Sequence, residues 1–170
     1  MMEFDDANYM PYLDVLSEPT VNMTRIYLIV RELQSNRNGR LVLTMEKLCF
    51  FNAAIVSESI VESILLKYNK SIDTSFKNID EGFSYKNRDS IRESIQGQLV
   101  KDYVIQLCNL DIIKFNIDKN YNLLSIENYI DINEYDPLIL AWKENIKRLK
   151  FCVSKSEKEL FSSLVEASYE

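Results

Sequence analysis

The chain has 170 residues, 46% of them hydrophobic, and a net charge of −6. That composition excludes a disordered chain, and the acidic balance argues against non-specific nucleic-acid binding, which rests on Lys and Arg neutralising phosphates. Three glycines and three prolines argue against a turn-rich sandwich or barrel and favour helices.

Residues 1–20 read as an irregular arm, because Pro11 and Pro19 block a continuous helix. The arm carries Phe4, Tyr9, Met10, Tyr12, Leu13 and Leu16, more than a solvated tail holds, and is expected to pack on its own domain or on a partner. A first helix follows, with Thr20, Asn22 or Thr24 as its cap and Ile26, Ile29, Val30 and Leu33 on one face. Asn38-Gly39 marks a tight turn. Leu41 to Leu43 is a short strand candidate, and Thr44 is placed to cap the next helix. From Met45, the residues Leu48, Cys49, Asn52, Ile55 and Val56 continue one stripe at about 100° per residue. Ser59 and Glu62 have capping-box spacing, which predicts a break near Ser57 to Ser59. A single helix to Tyr68 is the alternative.

Residues 69–87 are polar and aperiodic, as in an insertion loop. A helix is expected from about Asp89 to Leu110. Leu99, Tyr103, Leu107 and Leu110 form its main stripe. Val100, Val104 and Ile105 widen it, so the second half is expected to be the most buried segment. Gly97 is a weak point inside it, costing about 1 kcal/mol against alanine. Alternation then places Ile113, Phe115 and Ile117 on one side and Lys114 and Asn116 on the other. A polar turn leads back through Leu124 and Ile126. Pro137 starts a further helix, and a last one begins near Ser156 with Leu160, Phe161, Leu164 and Val165 inward.

The fold class expected is mainly α with a small β-hairpin. Helix, short strand, helix, helix, hairpin is the order of a winged helix. This gives an arm (1–20), a winged-helix-like core with an inserted loop (21–130), and two additional C-terminal helices (131–170).

The chemistry is sparse. Without histidine the commonest general base and metal ligand is missing, and no Ser-His-Asp or Cys-His arrangement can form. No phosphate-binding glycine motif occurs. Asp5-Asp6, Asp80-Glu81, Asp131 and Glu134 lie in polar stretches that a solvated surface explains. Cys49, Cys108 and Cys152 are odd in number and far apart, so buried free thiols are expected rather than a disulfide framework or zinc cluster. No catalytic residue, metal or cofactor is expected. No apolar run reaches the roughly 18 residues of a membrane span, and the acidic N-terminus lacks the pattern of a signal peptide. A cytoplasmic protein is the expectation.

The informative residues are apolar ones off the inner stripes. With the stripe of the helix from Met45 turned inward, Phe50 lies opposite, beside Glu46, Lys47 and Ala54. In the helix after Pro137, Trp142, Ile146, Leu149 and Val153 form the inner stripe, while Leu140 and Phe151 fall outside. Either other parts of the chain pack on both sides, or a partner covers Phe50, Lys47, Ala54, Leu140 and Phe151. The alternative is a DNA-binding regulator. It would use Arg88, Arg92 and Lys101 on the third helix, or the basic run of Lys143, Lys147, Arg148 and Lys150.

Arg25-Ile26, followed by Leu43-Thr44-Met45-Glu46-Lys47-Leu48, resembles the middle components of bacterial ABC-three-component systems over about 35 residues. Many relatives carry an aspartate where this chain has Asn52. The resemblance implies a non-enzymatic winged-helix adaptor. It would join an SMC- or Rad50-like ATPase that recognises foreign DNA to a separate effector such as a nuclease, as in Lamassu-type anti-phage defence. Nucleic acid would be met only within that complex.

Overall fold

A computed structural model describes residues 18–72 and 97–169. The arm to residue 17, most of the expected insertion loop, Arg88, Arg92 and the first turns of the helix expected from Asp89 lie outside those residues.

Helix α1 spans Pro19–Leu33, with proline in its first turn. Pro19 therefore opens the helix rather than blocking it, since a first-turn residue has no intrahelical N–H bond to lose. The expected caps Thr20, Asn22 and Thr24 lie inside α1, and Glu18 holds the cap position. Gln34 continues the chain outward. Its carbonyl accepts from the Val42 N–H at 2.9 Å and its side-chain oxygen accepts from the Ile126 N–H at 3.0 Å.

Helix α2 spans Met45–Ala54, and the Thr44 hydroxyl accepts from the Lys47 N–H at its start, as the sequence suggests. Helix α3 spans Glu58–Lys67, so the predicted break is present, and the chain bends there by 115°. No capping box forms. Ser57 holds the cap position without a side-chain bond to the helix, and its hydroxyl meets that of Ser59 at 2.9 Å.

Helix α4 spans Gln98–Asn109. Gly97 precedes it at φ +69°, a left-handed conformation that glycine adopts without penalty. It is an entry to the helix, not a weak point within it. The inward residues are Val100, Tyr103, Val104 and Leu107, spaced i, i+3, i+4, i+7. All four lie within the expected stripe, but Leu99, Ile105 and Leu110, also expected inward, are exposed.

Strands β1 (Ile113–Asp118) and β2 (Tyr121–Ile126) pair antiparallel, with Ile113 opposite Ile126 and Phe115 opposite Leu124. Lys119 and Asn120 both have positive φ, the requirement of a tight two-residue hairpin turn. The expected alternation holds, but only Ile113 of its apolar side is buried; Phe115 and Ile117 project beyond the core. The segment before α2 flanks β2 on its other side, through a bridge from Thr44 to Leu123 and the Leu124 N–H donating to the Leu43 carbonyl at 2.9 Å.

Helix α5 spans Pro137–Leu149, capped by the Asp136 carboxylate. A 3-10 turn over Lys150–Ser154 follows, and helix α6 covers Glu157–Ala167. Leu160 and Leu164 of α6 are buried, Phe161 only partly, and Val165 is exposed against expectation. The two C-terminal helices are not an appendage. Ile139, Trp142, Ile146, Leu149, Cys152, Leu160 and Leu164 share one hydrophobic core with α1 to α4. The Asn145 amide donates to the Ile55 carbonyl at 3.0 Å and Arg148 pairs with Glu58, so α5 holds the bend between α2 and α3. The molecule is mainly helical with one antiparallel hairpin, as composition and order predict.

Candidate partner-binding surfaces

The expected contact on α2 does not exist as a surface. Phe50 and Ala54 have no exposure. The missing cover is the C-terminal region. The Thr44 hydroxyl donates to Glu157 at 2.8 Å and the Lys47 ammonium donates to the Val153 carbonyl at 2.7 Å. The chain between Val153 and Glu157 thus lies against the outer side of α2. From Leu48 to Ala54 every residue of α2 is buried, as in a helix packed all round. Burial lowers the Lys47 pKa, because desolvation disfavours the ammonium.

Phe151 also leaves the proposed surface. A 3-10 turn follows Leu149, and Phe151 is partly buried against the core. Its ring packs edge-on against Tyr68 at 5.4 Å, under the Lys70 ammonium at 5.2 Å. Only Leu140, 49% exposed, keeps the outward position read from the sequence.

The basic run is partly paired within the chain. Lys143 pairs with Glu134 at 2.7 Å, Lys147 with Glu144 at 3.7 Å, and Arg148 with Glu58. Lys155 beyond them pairs with Glu159 at 3.1 Å. Lys150 and, on α4, Lys101 are exposed. The helix after the 115° bend, α3, presents Glu58, paired with Arg148, at its exposed start and Glu62 half-buried behind it.

Glu134 sits between Arg31 at 2.6 Å and Lys143 at 2.7 Å. Hydrogen bonds from these two cations hold its carboxyl pKa down at about 2, from an ordinary 4.5. A depressed carboxylate stabilises the fold above its unfolded pKa, and that contribution is lost as pH falls through the folded value. Thermal unfolding of the native chain and Glu134→Gln should therefore differ at neutral pH and converge between pH 4.5 and about 2. Solvent screening limits the neutral-pH difference to about 1 kcal/mol. A difference that persists unchanged to pH 2 would contradict the cluster.

Cys49 and Cys152 are buried and Cys108 half-buried, all as free thiols. Burial pushes Cys49 up to about 11 and Cys152 up to about 12, so neither is a nucleophile at neutral pH. Among the described residues no cluster of carboxylates and cysteines could hold a metal ion. No single described helix is long and apolar enough to cross a membrane. Helices α2 and α3 are apolar enough only together, across their bend, and apart from the exposed Leu66 their large apolar residues pack in or against the core.

Sequence reasoning missed the apolar surface that does exist. Leu99 and Leu110 lie about three turns apart on one side of α4, and Ile105 is exposed on the same helix. The adjoining strand β1 adds Phe115, 43% exposed, and Ile117, 84% exposed. The signal was present: the stricter stripe of Val100, Tyr103, Val104 and Leu107 leaves these leucines outside.

Two residues of the resemblance meet in the interior. The Arg25 Nε donates to the Asn52 side-chain oxygen at 2.8 Å, an Nη donates to the Asn22 oxygen at 2.5 Å, and the guanidinium lies 5.3 Å from the Trp142 ring centre. No protein-family model, no curated protein and no solved structure matches this chain.

Proposed function

We propose that the chain is a non-enzymatic adaptor subunit. It would bind an SMC-like ABC ATPase and link it to an effector in anti-phage defence of the ABC-three-component type. The observation that carries this reading is the set of exposed apolar side chains on and beside α4, Leu99, Ile105, Leu110, Phe115 and Ile117. Large apolar side chains grouped on one exposed element mark a protein-binding surface. The contact between Arg25 and Asn52 adds support. Many of the resembled proteins carry an aspartate at the position of Asn52, and asparagine keeps an acceptor for Arg25 at 2.8 Å. A DNA-binding regulator would need free cations on its reading elements, and Lys143 and Arg148 of the basic run are paired with Glu134 and Glu58.

The test is a nuclease-treated pull-down of the tagged chain from its host, with mass spectrometry. Recovery of an SMC- or Rad50-like ATPase is expected, and a Leu99→Asp/Leu110→Asp variant should fold normally yet lose it. Recovery of DNA alone, declining as salt rises, would sink the adaptor reading and favour the regulator.

A further inference from the structure

We infer that the chain pairs with a second copy of itself through the outer edge of β1, across a two-fold axis at Asn116. This stands apart from the adaptor reading and needs no other protein.

The direction of the backbone groups comes first. The Leu124 N–H donates to Leu43 and the Ile126 N–H donates to Gln34, both away from β1. In an antiparallel pair bonded and non-bonded positions alternate. Leu124 and Ile126 are therefore the non-bonded partners of Phe115 and Ile113, while Lys114, Asn116 and Asp118 bond β2. It follows that Phe115 and Ile117 turn their N–H and C=O groups to the outer edge. Among the described residues none bonds the main chain of Phe115 or Ile117 on that side. The edge also lacks the usual protections of proline or a bulge, since its pairing with β2 is regular from Ile113 to Asp118.

The side chains then select one register. With the axis at Asn116, Phe115 faces Ile117 of the second copy, and both turn their backbone groups outward, as Ile113 does by the same alternation. The same alignment sets Lys114 opposite Asp118 of the second copy, twice by symmetry. Moving the axis to Phe115 or Ile117 keeps the backbone parity but sets Lys114 or Asp118 against Asn116. An axis at Lys114 sets like charges together. Odd shifts oppose outward groups to inward ones. Backbone parity, apolar pairing and charge therefore agree on a single alignment. Lys114 also bridges to Glu127 of its own chain, but its side chain is 49% exposed and remains within reach. The pairing joins two copies of the Phe115 and Ile117 surface into one apolar patch.

Light scattering of the full chain at concentrations up to roughly 200 µM tests the pairing. The expected mass is twice the 20.0 kDa of one chain. Asp118→Lys alone and Lys114→Glu alone should each revert to one chain while keeping the native circular dichroism. Mixing the two variants should restore the doubled mass, because each then supplies the charge the other lacks. A single-chain mass at every concentration would overturn the inference. So would a doubled mass that both charge variants keep, which would place the contact elsewhere, or a mixture that stays at one chain.

Discussion

Phe50→Glu abolishes the cooperative thermal unfolding of the chain. Phe50 is fully buried and packs edge-on to Phe51, with ring centres 5.2 Å apart. Truncating such a residue to alanine costs about 3–5 kcal/mol. A carboxylate there adds the penalty of a buried, unpaired charge, against a typical domain stability of about 5–15 kcal/mol. Far-UV circular dichroism during heating checks the outcome. A variant that melts like the native chain would mean that Phe50 faces outward after all, as the stripe of α2 alone suggests.

Arg25→Ala lowers stability by about 3 kcal/mol. Arg25 is 4% exposed. Its removal deletes bonds to Asn52 and Asn22, leaves their oxygens buried without these donors, and removes the cation stacked on Trp142. The coupling is specific to named partners. Denaturant unfolding of Arg25→Ala, Asn52→Ala and the double variant should give a non-additive term of about 1.5–3 kcal/mol, the scale of a buried hydrogen bond to a charged group. Additive effects would show that the two side chains do not depend on each other.

The Arg25 and Asn52 pair shows how partial the reading of a sequence is. Asn52 stands out in the stripe of α2 as a polar residue on an apolar face, and Arg25 sits one residue from the apolar run of α1. Both positions are visible, but nothing in their spacing says that they meet across 27 residues. Phe50 fails for the opposite reason. Helical periodicity assumes one buried side, and it assigned Phe50, Lys47 and Ala54 to the other. The assumption breaks where a helix is enclosed, and α2 is enclosed because the chain at Val153 to Glu157 crosses its outer side. Phe151 left the expected partner face because Tyr68, just after α3, packs against its ring, a contact that helical periodicity does not contain.

The sequence by itself determined the elements and their order. Thr44, Asp136 and Ser156 cap helices because their side chains reach backbone N–H groups a few residues away. The break between α2 and α3 and the alternation of β1 are likewise matters of neighbours along the chain. Tertiary structure alone decided which faces are surfaces. It buried Phe50, paired Lys143 and Arg148 with distant carboxylates, and left Leu99, Leu110, Phe115 and Ile117 uncovered. The reason is physical: local conformation depends on near neighbours, whereas burial depends on what the rest of the chain brings to each face, and that contribution has no period.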